Sequence, residues 1–458
     1  MKVNTDLSFI KSGETFPPLT ELNRIHRYTI NSNRFDGSYA NNRYLELRDN
    51  QGVIKRLPWR VLKVNKFKLY TNKMDNLIFQ GDPIIMTGNR ERDIVVNNLV
   101  EKTRWLRSIR KAVRTMEKLG DGAIKTFANG CSAFNPKFGI KVVRGMDADD
   151  VIAYVLYEYI YDKDSEESNK VSYIRFEIHF KGSVQEIVYE LRGSTLGASV
   201  DFYYQGRKIK KGGNIYQTGV DEFLVQWLSL DVSEEGVYGT SPYEDFADLV
   251  YELERRQTLE IKVIDAHSEP IVVVGTGYLC GNEETGEYEA PILGSIIEVP
   301  QNGVEPKYIT WDGKIEASEQ VLDRISNQIY EVTEFGKIFM TGEYKGNISD
   351  ESINSLIRSA IDRANRHVWE IYYEVVKSLY VLCRLNGIEV DINDISIVFQ
   401  IGQTDDREKV ARVINSRVAA GTMSRVRALQ EFDEMTEQQA QQELANIFEE
   451  KRKERAGG

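Results

Sequence analysis

The chain has 458 residues, of which 41% are hydrophobic and 28% charged, a composition that indicates a folded protein and excludes a disordered one. This length predicts roughly two to four structural units. The formal net charge of −11 argues against tight DNA binding, because proteins that hold DNA usually present a basic face. No apolar run approaches the roughly 20 residues that cross a bilayer, and Met1 to Phe16 lacks the features of a signal peptide. We therefore expect no membrane segment.

The first half of the chain is predicted to be loops, one helix and antiparallel strands. Turn signals crowd the first 60 residues, with short strand-like pieces such as 44–47 between them. From Asp93 to Met116 apolar residues recur at helical spacing, and Gly120-Asp121-Gly122 ends this helix before a strand over 123–127. Residues 138–230 favour antiparallel strands, including a hairpin that turns at Lys181-Gly182.

Helices dominate the second half. Ser241, Pro242 and Glu244 form a typical helix start, and this helix is predicted to end just before Pro270. The simplest arrangement stands this helix beside the next one, with a small β insert at one end of the pair and a loop at the other. The remaining predicted elements are a β insert over 271–310, a helix from about Glu316, a loop over 335–348, a long helix from Ser349 towards Asn386-Gly387, a strand over 395–401 and a charged helical tail.

This order of elements resembles the portal proteins of tailed phages with double-stranded DNA. The resemblance spans most of the chain, and its specificity comes from the collinearity of short motifs. These are Asn76 to Pro83, the helix, Gly-Asp-Gly and strand from Trp105 to Phe127, Ser241-Pro242-Tyr243 with Leu249-Val250 and Ile264-Asp265, Lys307 to Gly313, and Gly421-Thr422-Met423-Ser424.

The resemblance implies an α+β portal fold with wing, stem, clip and crown, assembled as a ring that is twelve-fold in the virion. The expected wing is 1–240, and the expected clip, with small β elements, is 269–314. The other expected segments are stem helices at 241–268 and 315–335, a tunnel loop at 336–348, a long helix and strand returning to the wing at 349–404, and a helical crown at 405–458.

The same resemblance implies a structural role at one capsid vertex. The ring would be the channel for genome packaging and ejection, and double-stranded DNA would pass through it without sequence specificity. The implied partners are further copies of the chain, the large terminase subunit, the major capsid or scaffolding protein, and head–tail adaptor proteins. The implied location is the portal vertex of the virion, with the host cytoplasm as the site of assembly.

Two groups of residues are candidates for contact with DNA in such a channel. In the tunnel loop, Lys337 and Lys345 could touch phosphates transiently, and Phe339 and Tyr344 could narrow the opening. On the second stem helix, the acidic residues would repel phosphate and lower friction; they are Glu316, Glu319 and Asp323. An ordinary surface loop and a solvated helix face are the alternatives.

Searches for catalytic patterns find no Walker A loop, nucleophile elbow or H-E-x-x-H motif, so we expect neither an enzyme nor a cofactor or metal. Asp147, Asp149 and Asp150 could belong to a nuclease, although a surface loop is favoured. The basic cluster at 207–211 fits a hairpin tip, and the cysteines fit reduced, buried thiols. The remaining functional alternatives are another virion structural adaptor and a DNA-processing nuclease or motor subunit.

Overall fold

The computed structural model contains mixed helices and antiparallel sheets, which confirms the α+β class. It describes residues 4–39, 43–48, 54–59, 61–145, 150–161, 171–233, 236–268, 271–275, 296–299, 307–309, 315–337, 340, 350–401, 414, 416–421, 423–432, 441 and 443–447. Among the described helices none is long and apolar enough to cross a membrane. The segment boundaries expected from the portal resemblance stay predictions.

The elements are numbered in chain order. The helices are α1 (Leu19–Asp36), α2 (Lys66–Ile78), α3 (Arg90–Thr103), α4 (Trp105–Leu119), α5 (Tyr243–Ser268), α6 (Ile315–Val332), α7 (Asp350–Leu385) and α8 (Arg425–Phe432). The strands are β1 (Arg43–Arg48), β2 (Ile54–Trp59), β3 (Ile84–Met86), β4 (Asp121–Phe127), β5 (Gly130–Phe134), β6 (Gly139–Val143), β7 (Val151–Tyr161), β8 (Val171–Phe180), β9 (Ser183–Arg192), β10 (Thr195–Ser199), β11 (Phe202–Tyr204), β12 (Arg207–Ile209), β13 (Asn214–Gln217), β14 (Val225–Ser229), β15 (Ile271–Gly275), β16 (Ile296–Val299), β17 (Lys307–Ile309) and β18 (Ser396–Val398).

The largest sheet is antiparallel and runs in the order β10-β9-β8-β7-β6, with β13 also paired to β9. Alternation along β7 separates its two faces. Ala153 and Val155 join a core with Phe16 and Phe176, whereas Tyr154 joins a second core with Trp227. The predicted hairpin is confirmed, since Phe180 pairs with Ser183 across a turn in which Gly182 has a φ of 78°.

The Gly120-Asp121-Gly122 motif joins α4 to the sheet β14-β4-β5. Gly120 has a φ of 90°, and a Cβ at this position would lie 2.6 Å from the backbone of Thr240. A Cβ at Gly122 would lie 2.3 Å from the carbonyl oxygen of Ala112. Glycine is thus required on both sides of Asp121 by close backbone approach.

The prediction of a loop-rich N-terminus is wrong for α1, an 18-residue helix. Its buried face is polar, because Glu21, Arg24, Tyr28 and Asn31 point inward. The Arg24 guanidinium, fully buried, donates to Glu21 and to two backbone carbonyl oxygens. A helix stabilised in this way carries no apolar periodicity, which is the signal that sequence reading depends on.

The single helix predicted from Asp93 is two helices, α3 and α4. Arg104 separates them in a left-handed conformation with a φ of 52°. This conformation breaks the helical path without a glycine or proline to mark it. The helix α2 was also not predicted; Asn65 caps it by accepting from the backbone N–H of Lys68 at 3.0 Å. The predicted strand over 395–401 is shorter, at Ser396–Val398, where it pairs with β3.

The predicted helix pair of the second half is confirmed, since α5 packs against α6. Ser241 accepts from the backbone N–H of Tyr243 at 3.2 Å at the start of α5. Between α5 and α6 lies a three-stranded sheet, in which β15 pairs in parallel with β16 and antiparallel with β17. The long helix predicted from Ser349 is α7, with 36 residues.

The chain divides into two compact units, one of residues 1–79 and 83–399 and one of residues 80–82 and 400–458. The elements described above, α8 excepted, lie in the first unit. The second unit contains α8, where the Ser424 hydroxyl accepts from the backbone N–H of Arg427 at 3.2 Å.

Candidate functional site

The face of α6 that points to solvent carries the acidic residues predicted for a channel wall. Glu319 and Asp323 are both exposed, and Glu331 is exposed two turns further along the same row. Ile325, Ile329 and Tyr330 are buried on the opposite side, which fixes the orientation of the helix. Glu316 lies in α6, but its side chain is outside the described residues. Arg324 is exposed beside the acidic row and reduces its net negative charge.

The segment predicted as a tunnel loop is anchored in the core where it begins. Phe335 is fully buried, and its ring stacks on Tyr70 with centroids 5.0 Å apart. The backbone N–H of Met340 donates to the carbonyl oxygen of Gly336 at 3.2 Å, and Lys337 and Met340 have helical backbone. The expectation of a loop at these two positions is therefore wrong, because a helical turn forms between two buried side chains. Lys337 itself is exposed.

The other predicted loop residues, Phe339, Tyr344 and Lys345, lie outside the described residues. So do two of the three aspartates in the proposed nuclease cluster, Asp147 and Asp149. The third, Asp150, lies 3.6 Å from the Arg144 guanidinium. Within the described ranges no group of three or more histidine, cysteine or acidic residues could hold a metal ion.

Two arginines of α7 hold the C-terminal end of α6. The Arg363 guanidinium donates to the carbonyl oxygen of Val332 at 2.9 Å and lies 3.8 Å from the carboxylate of Asp245 at the start of α5. Arg366 donates to both carboxylate oxygens of Glu334, at 2.5 and 2.7 Å. Because a cation near the C-terminal end of a helix opposes the negative end of its dipole, this arrangement stabilises the end of α6. It also places the start of α5 beside the end of α6.

Beneath these arginines lies a buried polar cluster formed by Tyr70, Glu117, Arg363 and His367. Nδ1 of His367 lies 2.7 Å from a carboxylate oxygen of fully buried Glu117. The Arg363 guanidinium lies 5.7 Å from the centre of the Tyr70 ring. Burial and the negative charge of Glu117 raise the pKa of Tyr70 well above its usual value, against the opposing effect of Arg363. The Tyr70 hydroxyl thus stays protonated at all physiological pH values.

Sequence reading found the acidic row of α6 but missed this polar cluster. Its members come from α2, α4 and α7, and no motif joins them. The usable signal was Glu117 within the apolar stripe of α4, where a charged residue predicts a buried partner.

No protein-family model and no curated protein matches the chain. Three solved structures are similar to it at low identity. One is described as "Virion of native gene transfer agent (GTA) particle", with a TM-score of 0.41, 11% identity, and coverage of 80% of this chain and 88% of that chain. Another is "Neck of empty GTA particle computed with C6 symmetry", with a TM-score of 0.45, 11% identity, and coverage of 80% and 89%. The third is "Neck of native GTA particle computed with C12 symmetry", with a TM-score of 0.43, 10% identity, and coverage of 79% and 88%. These TM-scores are too low to support an argument about function.

Two smaller predictions can be compared with the structure directly. The basic cluster does lie on a hairpin, of β11 and β12, and Lys208 pairs with Asp201 at 2.7 Å. Cys131 and Cys383 are buried free thiols, as expected, and Cys280 lies outside the described residues. Neither feature contributes to the α6 face or to the polar cluster.

Proposed function

We propose that the chain is the subunit of a portal ring in a tailed phage or phage-like particle. In this proposal the ring sits at one capsid vertex and is the channel for genome packaging and ejection. The subunit has no catalytic site and no cofactor, and a separate motor supplies the force.

The observation that carries the proposal is the order and packing of α5, the β15–β17 sheet, α6 and α7. Two adjacent helices joined through a small sheet at one end, and held at the other end by a long third helix, are the stem, clip and wing connection that the sequence resemblance implies. Arg363 is the residue through which the α5 and α6 ends meet α7.

The chemistry of α6 is consistent with a channel that DNA passes without being held. Its exposed row is acidic at Glu319, Asp323 and Glu331, and the whole chain has a net charge of −11. Repulsion of phosphate releases no condensed counterions, so there is no gain in free energy from sticking. Lys337, near the anchored start of the tunnel segment, would supply a transient contact with phosphate.

The proposed partners follow from the same role. They are further copies of the chain, twelve in the virion, with the large terminase subunit and head–tail adaptor proteins in turn at the clip. The major capsid or scaffolding protein would surround the ring, and double-stranded DNA would pass through it. The proposed location is the portal vertex, after assembly in the host cytoplasm.

Negative-stain electron microscopy of the purified chain tests the proposal. We expect rings with a central hole, and class averages that give a rotational symmetry near twelve. Monomers at every salt concentration and protein concentration would contradict it. Rings that fail to bind the large terminase subunit would instead favour another virion adaptor.

The tunnel segment has its own test. Shortening the chain between Lys337 and Lys345 should impair DNA packaging or retention while ring formation continues, because Phe335 anchors the preceding residue pair in the core. Unchanged packaging in the shortened variant would show that this segment is not the tunnel loop.

A further inference from the structure

Helix α1 presents an apolar face to solvent. Leu19 is 78% exposed and Leu22 43% exposed, and they lie one turn apart. The inward face of the same helix holds Glu21 and Arg24, both buried. An amphipathic helix of a monomer normally has the opposite orientation. We call Leu19 and Leu22 the leucine face.

Helix α7 presents an aromatic face to solvent. Trp369 is 79% exposed and Tyr373, one turn later, is 58% exposed. The face is held in place at its edge, since the Tyr372 ring lies 6.4 Å from that of Trp369 and its hydroxyl accepts from the backbone N–H of Ile397 at 3.2 Å. Tryptophan and tyrosine are the residues that most often dominate protein interfaces. We call Trp369 and Tyr373 the aromatic face.

The two faces lie on different sides of the first unit, because α1 and α7 pack on different sides of α4. Phe35 of α1 lies over Arg114 and Lys118, at 5.5 and 5.1 Å. On α7, Ser378 accepts from the Trp105 indole N–H at 3.0 Å, and His367 lies beside Glu117. At about 100° per residue these two pairs of α4 residues point in directions about 140° apart.

A closed ring of identical subunits is built from head-to-tail contacts, in which each copy offers two different surfaces. We infer that the leucine face of one copy packs on the aromatic face of the next copy in the ring. This inference rests on the proposed function, since it names the contact between neighbouring subunits.

Charge favours this pairing over a contact between two identical faces. His26 and Arg27 border the leucine face, and the exposed carboxylate of Glu370 borders the aromatic face. Arg366, a nearby cation on α7, is already paired with Glu334. The cationic border of α1 therefore meets an anionic border on α7, whereas two copies of either border would repel each other.

Cysteine crosslinking tests the contact in a Cys280→Ser background, since the buried Cys131 and Cys383 are shielded. The double variant Leu19→Cys with Tyr373→Cys, treated with a short bis-maleimide, should form a covalent ladder from dimer upward. Leu19→Cys and Tyr373→Cys made separately and assembled together should give covalent dimers only. Each single variant alone should stay monomeric on a denaturing gel.

The matched control replaces Tyr373→Cys with Tyr203→Cys, because Tyr203 is an exposed tyrosine, 74% accessible, far from α7 in the sequence. A ladder with this control, homodimers from a single variant, or rings without any crosslink would each overturn the inference. In the last case the portal proposal would survive, whereas a wild-type chain without rings would remove both.

A second measurement does not depend on crosslinking. Trp369→Ala should lower the ring fraction at a fixed protein concentration by at least about tenfold, as loss of a central aromatic anchor does. Trp369→Phe and Tyr203→Ala should leave it within about twofold. Equal ring fractions in Trp369→Ala and wild type would overturn the inference.

Discussion

Nδ1 of His367 lies 2.7 Å from the carboxylate of Glu117, and this contact joins α7 to α4 in the interior of the first unit. One turn before His367 on α7, Arg363 binds the last carbonyl groups of α6. The same stretch of α7 therefore contacts both the body of the unit and the end of the helix proposed to line the channel. Any displacement of α6 would have to disturb this stretch.

Glu117→Ala should destabilise the protein by about 2–4 kcal/mol, because it leaves the His367 ring buried without its partner. Glu117→Gln keeps an oxygen acceptor and should cost less. Glu101→Ala, at an exposed position of the neighbouring helix α3, is the control and should change the stability by under about 0.5 kcal/mol. Urea unfolding measures all three, and equal losses in Glu117→Ala and Glu101→Ala would contradict the prediction.

Asp121→Asn should be among the most damaging single substitutions. The carboxylate accepts from the Tyr28 hydroxyl, the Trp227 indole N–H, the Ser229 hydroxyl and the backbone N–H of Gly239. An amide group would turn two of these donors towards an N–H₂ group that cannot accept. We expect a loss of about 3 kcal/mol or more in the free energy of unfolding, against a near-zero change for exposed Asp221→Asn.

The sequence was informative where burial is apolar and periodic. The stripe of Trp105, Ile109, Val113 and Met116 predicted α4, and all four side chains are fully buried. Helix α1 could not be found in the same way, because its buried face holds an ion pair and a tyrosine. The left-handed Arg104 between α3 and α4 has no signature residue at all.

The candidate site divides along the same line. Acidic residues one turn apart on α6 are visible in the sequence, whereas Tyr70, Glu117 and His367 meet only because three helices cross. The exposure of Trp369 was hidden for the opposite reason. An aromatic residue in a long helix is usually part of the core, so periodicity alone does not reveal a surface tryptophan.

Cysteine reactivity should separate buried from accessible thiols. Burial raises the pKa of Cys131 to about 11 and that of Cys383 to about 12, so at pH 8 both are protonated and unreactive. Of the three cysteines in the chain, at most Cys280 should react with Ellman's reagent in the folded protein. All three should react in denaturant. Fast reaction of two or more thiols in the folded state would contradict the burial of Cys131 or Cys383.

Glu177 should make the stability depend on pH. Burial acts to raise its pKa, but His179, 3.0 Å away, and Lys125 outweigh burial and hold the pKa well below its ordinary value of 4.5. A carboxylate with a lowered pKa stabilises the fold above pH 4.5, and this contribution is lost as the pH falls further. Glu177→Gln should thus be less stable than wild type at pH 7, by about 1–3 kcal/mol, with the gap narrowing below pH 4.5. A gap that stays constant from pH 7 to pH 3, as expected for Glu101→Gln, would contradict the prediction.

The acidic row of α6 should control how strongly the ring holds DNA. Glu319→Lys with Asp323→Lys changes the charge by +4 per subunit at two exposed positions, so folding and ring formation should be unaffected. If the row faces the channel, the variant ring should retain DNA at low salt, release it as salt rises, and package it more slowly than wild type. The matched control, Glu91→Lys with Glu101→Lys, makes the same change in charge on exposed positions of α3. Filter binding over a salt series and a packaging assay measure the effect, and equal retention by the two variants would show that the α6 row does not line the channel.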